Sequence, residues 1–86
     1  MIVQNKLSLS LEKPILRQIL NMVGLSYVEF AQLLNINIKT LEHYRSGYSK
    51  PRFSISQIKA MLLILDAAGI NIHDLPDDWI IDKPNN

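Results

Sequence analysis

The chain has 86 residues, 48% hydrophobic and 20% charged, with 3 Gly, 4 Pro, no Cys and a net charge of +1. That length fits one small domain and excludes large α/β architectures and a roomy buried catalytic cavity; the apolar content argues against disorder throughout. Without cysteine there is no disulfide framework, no thiolate zinc site and no cysteine nucleophile.

Residues 1–10 read as an N-terminal extension. The opening MIVQNKLSLSLEK lacks a basic head ahead of an apolar run, and no stretch approaches the ~18 apolar residues of a membrane span. Neither export nor membrane insertion is predicted, and a cytoplasmic location is expected. Leu7, Leu9 and Leu11 alternate with polar residues, a pattern that admits a short strand.

The first predicted helix covers 11–23, where Ile15, Leu16, Ile19, Leu20 and Val23 recur at helical spacing and form one apolar stripe. Pro14 is expected in its first turn, where a missing N–H costs nothing, and Gly24 ends it. Three further starts share one grammar. Ser26 with Glu29 and Ser54 with Gln57 are capping boxes, each framed by apolar residues in staple positions: Leu25 with Phe30, and Phe53 with Ile58. Asn37 is the third cap, with Ile36 and Leu41 as its staple. These signals predict helices over 27–34, 38–45 and 55–68. Only Asn35, Ile36 and Asn37 separate the second helix from the third, so that pair turns sharply, as a helix-turn-helix does. Residues 46–53, SGYSKPRF, read as loop, with Gly47 as the left-handed residue after the third helix.

The fourth helix is apolar on more than one side and is expected at the centre of the core. Asn71 is placed to cap a last short turn before Pro76, and residues 77–86 read as a tail whose end frays. Trp79, Ile80 and Ile81 are apolar and late in the chain; they either cover the core edge or form a dimer contact. The fold class is therefore all-α: four to five short helices packed around the fourth, in one domain over 11–76.

Chemistry-bearing motifs are scarce. His43 and His73 have no second ligand at helical spacing, no Gly-rich phosphate loop or metalloprotease signature occurs, and Asp77–Asp78 reads as a solvated turn. No enzyme activity, metal or cofactor is predicted. Charge, by contrast, is unevenly spread. Residues 37–59 carry five basic residues against Glu42, a balance of +4, and residues 60–86 carry five Asp against Lys83, a balance of −4. A basic middle of this kind suits nucleic acid, although a solvated helix face has the same composition.

The stretch 25–51, LSYVEFAQLLNINIKTLEHYRSGYSKP, resembles the Cro/repressor-type (XRE) helix-turn-helix family. Ser26, Phe30-Ala31, Ile36-Asn37, Leu41, Gly47 and Pro51 stand where that family has its cap, its apolar-Ala pair, its turn, its inward residue and its closing Gly and Pro. The resemblance extends over about residues 12–75 and implies a lambda-repressor-like DNA-binding domain. Three positions depart from it. Arg45 replaces the acidic residue before the Gly, Asn35 replaces the small turn residue, and Tyr27 replaces a Gln that contacts phosphate in relatives.

In the resembled family the third helix enters the major groove. Ile38, Lys39, Glu42 and His43 are then expected on its outer face as base readers: Lys39 for guanine acceptors, Glu42 for the cytosine amine, Ile38 for a thymine methyl. Tyr27, Asn37, Ser46, Tyr48, Ser49, Lys50 and Arg52 are expected to grip phosphates and fix register. The implied protein is a small sequence-specific regulator of transcription, a repressor acting by occupancy, bound as a homodimer to two half-sites about one helical turn apart. Dimerisation is expected through Trp79–Ile81, the N-terminal residues or spare apolar surface on the fourth helix. Two other readings stay open: an antitoxin with a toxin partner, and a protein–protein adaptor without DNA binding.

Overall fold

A computed structural model describes residues 14–81. Within them lie four helices, α1 (Ile15–Val23), α2 (Tyr27–Leu34), α3 (Ile38–Arg45) and α4 (Ile55–Ala68), followed by a 3-10 turn over Ile72–Asp74; no strand occurs among the described residues. The chain is all-helical there, as expected. The strand suggested by Leu7, Leu9 and Leu11 and the fraying end lie outside the described residues.

The caps form as the sequence dictates. The Ser26 hydroxyl accepts from the Glu29 N–H at 3.1 Å while the Glu29 carboxylate accepts from the Ser26 N–H at 2.9 Å. Ser54 and Gln57 repeat the exchange at 3.1 and 2.8 Å. Asn37 caps α3 through Oδ1, which accepts from the Lys39 N–H at 2.7 Å. Such caps contribute about 0.5–2 kcal/mol each, and they hold every one of these starts at the predicted residue. Asn35 ends α2 with φ 59°, a left-handed backbone that asparagine tolerates better than most side chains. One start differs from expectation. Pro14 is the cap of α1 and lies outside its first turn, with ψ 115°. Its carbonyl accepts the first helical bond, from the Gln18 N–H at 3.3 Å, so the proline precedes the helix instead of opening it.

α1, α2 and α4 enclose the core. Ile15, Leu16, Ile19 and Leu20 from α1, Phe30, Ala31 and Leu34 from α2, and Met61, Ile64 and Leu65 from α4 are all buried. α3 packs chiefly on α2 rather than on α4, and it contributes Leu41 as its one fully buried residue. Ile80 is also buried and Trp79 packs against the core. The packed unit therefore extends past residue 76, and the late apolar segment covers the core edge. Among the described residues no helix is long and apolar enough to cross a membrane.

Candidate nucleic-acid interface

Eight residues make little more than two turns, so α3 has one inner and one outer face. At 100° per residue Lys39, Glu42 and His43 fall within a single arc, and all three are exposed. Leu41 is on the opposite side, and half-buried Tyr44 flanks it. Ile38 does not join the outer arc as predicted. It is half-buried and packs against the core, because the first position of α3 sits directly after the tight turn from α2. Its side chain is committed to holding the helix in place.

The loop after α3 is fastened to the helix end. The His43 carbonyl accepts from the Tyr48 N–H at 2.9 Å, the Ser49 N–H at 3.2 Å and the Ser46 hydroxyl at 3.2 Å. Gly47 makes this fold-back possible with φ 81°, which a side chain would resist. Tyr48, 79% exposed, then lies against the His43 ring with centroids 4.7 Å apart. Further along, the Tyr44 hydroxyl donates to the Arg52 carbonyl at 3.3 Å, and the Tyr44 and Phe53 rings meet edge to face at 5.6 Å. Lys50 and Arg52 project from this fastened segment, both exposed.

Some predicted phosphate contacts fit this arrangement and others do not. Asn37 is exposed and spends Oδ1 on the cap, so its amide nitrogen is the group left to donate outward. Half-buried Ser49 offers its backbone to the loop. The Ser46 hydroxyl is committed to the His43 carbonyl, which leaves it no proton for a phosphate. Tyr27 departs further: its hydroxyl oxygen is buried, so it does not reach a phosphate. Its ring is a platform instead. The Arg45 guanidinium lies 3.7 Å from the ring centroid and that of Arg17 lies 5.9 Å away.

Two of the three positions that depart from the resembled pattern, Tyr27 and Arg45, are in contact with each other. Arg45 is thus stacked on Tyr27, an attraction worth about 0.5–1 kcal/mol at a partly exposed site. Sequence reasoning missed Arg17 altogether, and no periodic signal links it to Tyr27 ten residues on. The result gathers two guanidinium groups where α1, α2 and the end of α3 meet. No family model, curated protein or solved structure matches the chain.

Proposed function

We propose that the chain is a sequence-specific double-stranded DNA-binding protein of the helix-turn-helix kind, a small lambda-repressor-like regulator of transcription acting by occupancy. One observation carries this reading: Lys39, Glu42 and His43 share the exposed arc of a short helix whose other side is anchored by Leu41. An exposed helix face of this composition suits the major groove, where lysine pairs with guanine acceptors and glutamate with the cytosine amine. Lys50 and Arg52, on a segment tied down by Tyr44 and the His43 carbonyl, supply phosphate contacts that fix register without reading sequence. Tyr48 and the Asn37 amide extend that grip. Arg45 and Arg17, braced on Tyr27, add positive charge beside it.

Selection of bound duplexes from a random DNA pool tests the proposal. A recovered consensus whose affinity drops when Lys39 is replaced supports it. Recovery of no preferred sequence, with no binding even at low salt, favours an adaptor. A tight protein partner that co-purifies with the chain, together with DNA binding, favours an antitoxin.

A further inference from the structure

The outer face of α4 has a different character. Met61, Ile64 and Leu65 point into the core, whereas Ile55, Lys59, Leu62, Leu63 and Asp66 fall on the opposite arc at 100° per residue, and all five are exposed. Leu63 is 73% exposed, Ile55 69% and Leu62 41%. Three large aliphatic side chains on one stripe are not the scattered apolar residues of an ordinary surface. Beyond Leu63 the stripe runs into a groove between the end of α4 and the 3-10 turn, lined by Leu62, Gly69, Ile70 and Ile72 together with the polar Asp66 and His73.

This face is complementary to itself. Lys59 lies between Ile55 and Leu63, four residues to either side, and Asp66 lies between Leu62, four residues before it, and the groove past the helix end that Ile70 helps line. Turned end for end about the Leu62–Leu63 midpoint, the order apolar–charged–apolar reproduces itself with the charge reversed. Two copies of α4 crossing antiparallel at that point therefore bring Leu62 and Leu63 together at the centre. Lys59 and Asp66 each stand about 5 Å along the axis from the midpoint, so each Lys59 meets Asp66 of the second copy. Ile55 stands about 11 Å from the midpoint on one side and the groove about the same distance on the other. The exposed isoleucine of each copy is thereby aligned with the groove of the other.

We propose that this chain forms a two-fold symmetric dimer through the outer face of α4, with Leu62 and Leu63 at its centre, paired Lys59–Asp66 contacts on both sides and Ile55 of each copy seated in the groove of the other. Such an interface is isologous, as closed dimers require. It uses no residue of α3 or its loop and stands whether or not the chain binds DNA. One helix face and one groove make a small contact by the measure of stable complexes, so association depends on concentration.

Sedimentation equilibrium of the whole chain and its variants tests this. The wild type is expected to move from one copy of 9.8 kDa toward twice that mass as concentration rises. Leu63→Glu is expected to stay at one copy while keeping the helical circular dichroism of the wild type. The sharper arm uses charge. Lys59→Asp places acid against acid and Asp66→Lys places base against base, so each variant alone is expected to be monomeric. An equimolar mixture of the two is expected to form a mixed dimer, and the double variant to regain self-association. A wild type that stays monomeric at the highest concentration that remains clear overturns the proposal. So does a dimer indifferent to Leu63→Glu, or two single variants that fail to recover association when mixed.

Discussion

The exposed faces of α3 and α4 are made from the same kind of element by opposite means. α3 is short, has one fully buried residue in Leu41, and turns Lys39, Glu42 and His43 outward. α4 is longer, buries Met61, Ile64 and Leu65, and turns Ile55, Leu62 and Leu63 outward around a single pair of charges. The thin anchorage of α3 leaves its surface free to be polar, and polar groups that reach outward suit a polyanion. The deep anchorage of α4 tolerates apolar residues on both sides of the helix, and such residues suit a protein surface. The two proposed roles fall on separate helices, so mutation can separate them.

The largest expected effect tests the anchorage itself. Leu41→Ala removes the only fully buried side chain of α3 and is expected to cost about 2–5 kcal/mol in urea unfolding. Amide hydrogen exchange of the variant is expected to accelerate most in α3, since α4 keeps its own three buried residues. Uniform acceleration along the chain contradicts the claim that α3 is held separately.

The next effect separates reading from gripping on the α3 side. Lys39→Ala is expected to cost about 1–3 kcal/mol on the preferred duplex and to relax specificity at one base position. Lys50→Ala is expected to weaken preferred and scrambled duplexes alike and to lower the salt slope by roughly one. Titrations of both variants on both duplexes make the comparison. Equal losses on the two duplexes for Lys39→Ala put that side chain on the backbone, not on a base.

Much of this organisation is legible in the sequence. Helix starts depend on a cap and a residue three positions later, a relation confined to one turn, which is why Ser26, Asn37 and Ser54 mark their helices correctly. What lies between elements is not local. Ile38 looks like an outward residue until the turn from α2 presses it on the core, and Tyr27 looks like a phosphate donor until its hydroxyl is buried. Trp79 and Ile80 are legible as candidates to cover the core edge, and Ile80 is buried there. Which side of α4 stays uncovered is marked only by Lys59 and Asp66, because aliphatic residues on more than one side of the helix blur the preferred face. The exposed arc of Lys39, Glu42 and His43 follows from helical spacing once Leu41 is set inward.

A smaller effect tests the stacked Arg45–Tyr27 pair. Arg45→Ala and Tyr27→Ala, measured singly and together by thermal unfolding, are expected to show a coupling of about 0.5–1 kcal/mol. Simple additivity contradicts the stacking. The smallest effect belongs to the α4 face: Leu63→Gln, on an exposed position, is expected to change monomer stability by less than about 0.5 kcal/mol. A larger loss in dilute protein places Leu63 in the fold of the single copy and removes it from the free surface.

The central claim is that the basic stretch around α3 binds DNA. It is tested most directly by the salt dependence of affinity for mixed-sequence duplex, followed by fluorescence anisotropy. Lys39, Arg45, Lys50 and Arg52 place four cations on α3 and its loop. If each copy neutralises roughly four phosphates, log K is expected to fall against log salt with a slope of about −3 to −4 per copy. Affinity unchanged by salt, or no binding at low salt, contradicts the account.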